Sequence, residues 1–168
     1  MGKKIFMYLL IFSCIFVIPA TGVLASSDVI ENNNSGIPDK NLYKTILKKL
    51  GKKSNEKFTK QEAAGIKTLD ASYMRVKSLK GMKYLKNLQR LYLESNNLKS
   101  LNGIQHLTNL KVLEISSNEI KNIKPLKKLK KLNSLSASEN KIKRLNGIEN
   151  LKKLKEVNLD RNNLESVK

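Results

Sequence analysis

A 22-residue repeat runs without a change of phase from residue 66 to the end of the chain. Apolar residues open successive units at Ile66, Leu88, Leu110, Leu132 and Leu154. Repetition at a fixed period indicates a solenoid, in which each unit buries its apolar side chains only against its neighbours. We therefore expect a long curved surface, of the kind that binds other macromolecules.

Each unit has the pattern of one coil containing a strand and a turn. Positions 1, 4 and 6 are apolar and the residues between them are mostly polar, which predicts a strand with one buried face. Position 16 holds glycine or proline in every complete unit and predicts a turn. Position 9 is asparagine in four units, and each amide is expected to bond the backbone where the strand bends: Asn96, Asn118, Asn140 and Asn162. The pattern is similar to that of leucine-rich repeats.

Two short helices are predicted ahead of the first unit. Asp39 can cap a helix that runs to Leu50, and Thr59 with Glu62 forms a capping box for the second helix. A solenoid needs a cover over its first coil, so residues 37–65 are predicted to be a helical cap. The polar residues 26–36 are predicted to be a flexible linker. The expected fold class is α/β, with a parallel sheet on the concave face of a leucine-rich repeat solenoid. Residues 66–168 supply four full units and a partial one.

The segment IPDKNLYKTILKKLGKKSNEKFTKQEAAGIKTLD, residues 37–70, is followed directly by the 22-residue units. This combination resembles the cap and early repeats of bacterial internalins, and the resemblance extends over residues 37–168. It implies a secreted or wall-attached protein that binds a host or surface ligand through its concave face.

The first 25 residues have the features of a secretory signal peptide. Lys3 and Lys4 precede an apolar run of 14 residues, and Val23-Leu24-Ala25 offers small residues for cleavage after Ala25. The alternative is an uncleaved membrane anchor, although a full span takes about 20 apolar residues. The predicted location is therefore secreted or cell envelope. The one cysteine, Cys14, lies in the apolar run, so no disulfide is expected after cleavage.

The outward strand positions and the following rim predict a binding surface for a neutral or basic protein. Seven of the 14 carboxylates of the chain lie there, against four basic residues. Tyr92 is the predicted anchor, because aromatic residues dominate interface energetics. The predicted ligand-binding residues are Tyr73, Arg90, Tyr92, Glu94, Val112, Glu114, Glu119, Glu139, Glu156 and Asp160.

The formal net charge of +19 is open to two interpretations. The charge reflects a general bias of composition toward lysine, or it forms a basic surface that binds an anionic cell-envelope polymer or a membrane. The second interpretation supports an alternative function, an envelope-associated structural or truncated protein without a specific protein ligand. The lysines concerned lie on the predicted convex side and flanks: Lys121, Lys124, Lys127, Lys128, Lys130, Lys131, Lys152 and Lys153.

No enzyme, cofactor or metal function is predicted. The only histidine, His106, falls on the convex side, and no serine has a histidine placed to activate it. No glycine-rich phosphate loop and no metal-ligand spacing occurs. Aromatic residues make up 5% of the chain, which with the export signal argues against nucleic acid as a partner.

The last coil is predicted to be open to solvent. Its apolar residues have no capping element after Lys168, and an exposed strand edge is a template for pairing with another chain. Fraying of residues 154–168 or end-to-end self-association is therefore expected at this C-terminal end. The apolar residues of this coil are Leu154, Val157, Leu159, Leu164 and Val167.

Overall fold

A computed structural model describes residues 28–165 of the chain. The predicted signal peptide and Val167 lie outside the described residues. The N-terminal elements are β1 (Val29–Ile30), α1 (Lys40–Lys49), β2 (Phe58–Thr59) and α2 (Lys60–Gly65). The repeats then supply β3 (Thr68–Asp70), β4 (Arg90–Tyr92), β5 (Val112–Glu114), β6 (Ser134–Ser136) and β7 (Glu156–Asn158). Three 3₁₀ helices lie on the convex side, at Met82–Leu85, Ile104–His106 and Lys124–Lys128.

The five repeat strands form one parallel sheet whose order follows the sequence, β3-β4-β5-β6-β7. Each strand is displaced from its neighbour by one full unit, so Leu69 pairs with Leu91 and Leu91 with Leu113. Residues at the same repeat position are therefore neighbours on the surface, about 4.8 Å apart. This register determines which side chains can act together.

The inward side chains form one continuous core from α1 to the fourth unit. In the second unit every inward leucine or isoleucine is fully buried. Burying one such side chain contributes about 1.5–3 kcal/mol, so the core supplies most of the favourable free energy of folding. These residues are Leu88, Leu91, Leu93, Leu98, Leu101, Ile104 and Leu107.

The position-9 asparagines tie each coil to the one before it. The Asn118 Oδ1 accepts from the Leu98 N–H at 2.9 Å, and its Nδ2 donates to the Leu93 oxygen at 2.9 Å. Asn96 and Asn140 make the equivalent contacts, and all three side chains are buried. The predicted backbone-bonding role of these amides is confirmed.

The turn at position 16 differs between units. Gly103 has φ 111°, and a Cβ placed there would lie 2.1 Å from the carbonyl oxygen of Leu79 in the preceding coil. Glycine is needed for both the conformation and the close approach. In the third unit Pro125 stands at this position, near the start of the 3₁₀ helix Lys124–Lys128 and not in a left-handed turn. Proline is pre-organised for such a start.

Asp39 connects α1 to the repeats. One carboxylate oxygen accepts from the N–H groups of Asn41 and Leu42 at the start of the helix. The other accepts from the N–H groups of Lys77 and Ser78 in the first coil, at 2.7 and 3.0 Å. The residue predicted as a helix cap therefore also joins the helix to the solenoid. The predicted Thr59–Glu62 capping box is present at the start of α2.

The prediction of a flexible linker over residues 26–36 is wrong for residues 28–36. β1 pairs with β2 in antiparallel register, Ile30 is buried, and the Tyr43 hydroxyl donates to the Ile30 oxygen at 3.0 Å. A two-residue strand has no detectable period in a sequence. Its partner Phe58 is 28 residues away, which local composition could not indicate.

The C-terminal end of the sheet, at β7, is less buried than the rest of the sheet. All three residues of β7 are exposed, and Leu145, Val157 and Leu164 each keep about 45% of their surface accessible. The expected self-association at this end stays a prediction. Over residues 28–165, no helix has the length and apolarity needed to cross a membrane.

Replacing Asn118 by alanine should lower the free energy of unfolding by about 3 kcal/mol, because several buried backbone groups lose their partner. Urea unfolding followed by circular dichroism measures this. Asn97→Ala is the matched control: its side chain is exposed and makes no hydrogen bond within residues 28–165. Equal destabilisation by the two substitutions would contradict the role given to the amide.

Candidate functional site: a groove between the first helix and the sheet

Three outward side chains stand next to one another on the first three repeat strands. Asp70, Tyr92 and Glu114 are paired across β3, β4 and β5, so the Tyr92 ring lies between two carboxylates. Tyr92 and Glu114 are half-buried, whereas Asp70 is exposed. β4 and β5 are each paired on both sides and β3 is paired with β4, which makes this part of the concave face a pre-organised surface.

A groove of about 880 Å³ separates this surface from α1. We call it the N-terminal groove. Its helix wall consists of Asn41, Lys44, Thr45, Lys48 and Lys49. Its floor and rim consist of Thr68, Asp70, Ser72, Tyr73, Met74, Tyr92, Glu94 and Glu114.

The two sides of the N-terminal groove carry opposite charge. Lysines line the helix wall, and the carboxylates of Asp70, Glu94 and Glu114 line the floor. None of the ion pairs found among residues 28–165 joins the wall to the floor. The carboxylates can therefore receive a cation from a partner, and the lysines an anion.

Tyr73 stands at the rim of the groove with 67% of its surface exposed. The neighbouring Glu94 carboxylate, as a hydrogen-bond acceptor for the phenol and as a negative charge, raises the pKa of Tyr73 above its usual value. Its backbone has φ 62°, a left-handed conformation. The same position is left-handed in the other units, at Ser95, Ser117, Glu139 and Arg161. The conformation is thus part of the repeat geometry and does not mark a site by itself.

The first coil departs from the repeat at position 9, where Met74 replaces the asparagine. Met74 is 42% exposed and lies on the groove rim beside Tyr73. Arg75 is also left-handed, with φ 56°, which is not seen at the equivalent place in the other described units. An apolar side chain is thereby exposed next to the aromatic residues.

Four of the predicted ligand-binding residues line the groove: Tyr73, Tyr92, Glu94 and Glu114. Arg90 and Val112 lie on the same sheet face, at the other end of their strands and outside the groove. Glu156 and Asp160 are exposed at the far, C-terminal end of the sheet.

Glu119 and Glu139 lie at the rim and are already paired within the protein. Lys141 bonds the Glu119 carboxylate at 3.0 Å and lowers its pKa. The Ser117 hydroxyl and the Arg161 guanidinium bond Glu139 and lower its pKa. Both carboxylates are less available to a partner than those of the groove floor.

Sequence reasoning did not include the helix wall. Lys44 and Lys48 lie four residues apart, on an exposed face of α1 away from the buried Leu42, Ile46 and Leu47. Helical periodicity reveals that this face is exposed. It cannot reveal that the face borders the concave sheet, since this depends on how α1 packs on the first coil.

Comparisons with known proteins agree with this architecture. A family model for leucine-rich repeats in two copies matches residues 86–128. The functional domain of InlJ from Listeria monocytogenes superposes with a TM-score of 0.71 at 26% identity, over 78% of this chain and 28% of that chain. An internalin (InlF) from the same organism gives 0.68 at 23% identity, over 80% of this chain and 46% of that chain. A leucine-rich repeat protein of Leptospira interrogans gives 0.57 at 32% identity, over 60% and 27%. Curated protein sequences give no match.

These observations define a leucine-rich repeat protein, and the predicted α/β solenoid is confirmed. The chain is similar to internalins of Listeria monocytogenes, as the resemblance indicated. It spans less than half the length of the InlF chain and of the InlJ domain.

Glu94→Gln should lower the pKa of Tyr73 towards its usual value, because the substitution removes both the charge and the strongest acceptor of the phenol proton. NMR titration of the Tyr73 ring measures the change. Glu114→Gln is the control, since Glu114 contributes only a weaker Coulombic effect. An equal fall in both variants, or none in Glu94→Gln, would contradict the proposed hydrogen bond.

Proposed function

We propose that the chain is an exported protein-binding module that recognises a protein ligand through its concave face, with the N-terminal groove as the main contact. The observation that carries the proposal is the groove itself. Within about 880 Å³ it combines two tyrosines, an exposed methionine and three carboxylates that no lysine or arginine of the described part neutralises.

The chemistry of the groove favours a partner segment with both an apolar and a basic side chain. Tyr92 on the sheet, with Tyr73 and Met74 in the turn after β3, offers apolar surface to a partner. Asp70 and Glu114 on either side of Tyr92 favour a cation placed over its ring. The lysines of α1 disfavour a second cation on that side, so they orient the segment.

Export is supported by two independent features. The N-terminal residues have the charge, apolar run and small residues of a signal peptide. The structural likeness to internalins of Listeria monocytogenes supports a place at the cell surface or outside the cell.

The native protein should begin at Ser26 when it is recovered from the medium or the cell envelope. N-terminal sequencing tests this directly. A membrane-embedded product that retains Met1 would instead support an uncleaved anchor.

Tyr92→Ala should weaken binding of the protein ligand by about 2 kcal/mol, or roughly 30-fold, without unfolding the chain. Because the ligand is unidentified, a photo-crosslinking amino acid in place of Val112 first captures proteins at the concave face. The same group in place of His106 reports capture on the convex side. Affinity for the captured protein is then measured by calorimetry.

The capture should be competed by unlabelled wild-type protein and poorly by the Tyr92→Ala variant. His106→Ala, an exposed substitution on the convex 3₁₀ helix, should compete like the wild type. Equal competition by all three proteins, or crosslinking only from position 106, would overturn the concave-face proposal.

A further inference from the structure

Lysines are concentrated along one edge of the solenoid, where the chain returns from the convex side to the start of each strand. This edge is formed by positions 21, 22 and 2 of the units, and none of these positions holds an aspartate or glutamate. All of its lysines are exposed. We call this set the basic edge: Lys67, Lys86, Lys111, Lys130, Lys131, Lys152, Lys153 and Lys155.

The basic edge is a continuous row because the coils stack in register. The Gln89 N–H donates to the Lys67 oxygen and the Lys111 N–H to the Gln89 oxygen, both at 2.8 Å. The ladder continues from Asn133 to Lys111 and from Lys155 to Asn133, both at 2.9 Å. Four steps of about 4.8 Å give a row roughly 19 Å long.

The charge of the basic edge is not neutralised by the protein. None of its lysines takes part in an ion pair within residues 28–165. Among the residues that the structure describes, only Lys130 and Lys131 of this set donate to protein groups, the Asn150 oxygen at 3.4 Å and the Asn109 Oδ1 at 2.7 Å. On the opposite edge, by contrast, Lys141 is paired with Glu119 and Arg161 with Glu139.

A shallow cavity of about 600 Å³ lies at the N-terminal end of the basic edge. Lys67, Lys86 and the Asn87 amide line it, together with Lys60, which is 3.7 Å from Asp28. The Asp28 carboxylate also lines the cavity, and the Asn87 amide donates to the Ala64 oxygen at 3.0 Å, so Lys67 and Lys86 are the groups there that can meet the end of an anionic ligand.

The convex side is a poorer candidate for anion binding than the sequence indicated. Its 3₁₀ positions carry Lys83 in the first unit and Lys127 and Lys128 in the third, but Gln105 and His106 in the second and Glu149 and Asn150 in the fourth. The lysines there do not continue from each coil to the next.

A second row of lysines lies at position 12: Lys77, Lys99, Lys121 and Lys143. Carboxylates lie beside this second row, because Glu165 is 3.4 Å from Lys143, and Lys99 and Lys121 are close enough to Glu119 to lower its pKa. The lysines of the basic edge have no carboxylate partner in an ion pair over residues 28–165.

We propose that the basic edge binds a linear phosphate polymer of the teichoic-acid class, lying across the coils. Lysine ammonium groups bind phosphates as adaptable point charges, and a row of them releases counterions when a polyanion replaces those ions. The basic edge is separate from the N-terminal groove, whose acidic floor would repel such a polymer. The two surfaces can therefore be occupied at the same time, so this inference does not depend on the proposed protein-binding function.

Binding of soluble poly(glycerol phosphate) to the purified protein, measured by calorimetry at several salt concentrations, tests the proposal. The edge variant combines Lys86→Gln, Lys111→Gln, Lys152→Gln and Lys155→Gln, none of which removes a side-chain hydrogen bond seen in the structure. We expect its affinity to fall at least about tenfold, and its dependence on salt to become less steep.

The matched control combines Lys77→Gln, Lys99→Gln, Lys121→Gln and Lys124→Gln. These exposed lysines lie away from the basic edge, and the control has the same net charge as the edge variant. It should stay within about threefold of the wild type, since only contacts with the polymer release counterions. Replacing the four edge lysines by arginine should preserve binding. This result would show that positive charge at these positions is required for binding.

Three outcomes would overturn the proposal. Equal loss in the edge and control variants would show that net charge alone is sensed. Binding to phosphatidylglycerol vesicles without binding to the soluble polymer would assign the edge to a membrane surface. Competition by inorganic phosphate at the same phosphate concentration as the polymer would show binding of single anions and not of a chain. Tyr92→Ala should bind the polymer like the wild type, so failure here is distinct from failure of the concave site.

Discussion

The bond between each position-9 asparagine and the preceding coil is the interaction on which the solenoid depends. The chain bends after the strand at this position. The bend directs backbone N–H and C=O groups toward the interior, where no water can pair with them. The Asn118 amide satisfies groups of both its own coil and the previous one, such as the Leu98 N–H and the Ile115 oxygen. Unpaired groups there would cost about 1–3 kcal/mol each. The amide therefore fixes both the bend and the stacking of one coil on the next.

In-register stacking converts a repeat in the sequence into rows on the surface. One row places Asp70, Tyr92 and Glu114 side by side on the concave face. Another places the lysines of the basic edge in line, joined by the backbone ladder from Lys67 to Lys155. The protein thus carries acidic and basic surfaces at fixed places on a rigid frame. The proposed binding of a basic protein segment at one surface and of a polyanion at the other rests on this separation of charge.

The repeat strands, the asparagine role and the two N-terminal helices could be predicted because each has a local signal, namely apolar alternation, a fixed period or a capping residue. The candidate site could be predicted only in part. Outward strand residues such as Tyr92 and Glu114 follow from alternation, but the helix wall with Lys44 and Lys48 does not. The regular structure within residues 28–36 could not be predicted either, because β1 forms only by pairing with Phe58, far along the chain.

By itself the sequence determined the period, the inward and outward faces of each strand and the resemblance to internalins, because these are properties of local order along the chain. Only the tertiary structure decided three further features. It set α1 beside the sheet to form the N-terminal groove, paired Glu119 and Glu139 with cations of the next coil, and left the lysines of the basic edge without carboxylate partners among residues 28–165. The physical reason is that these features join residues 20 or more positions apart. Their distances depend on how coils and helices pack, which no local pattern contains.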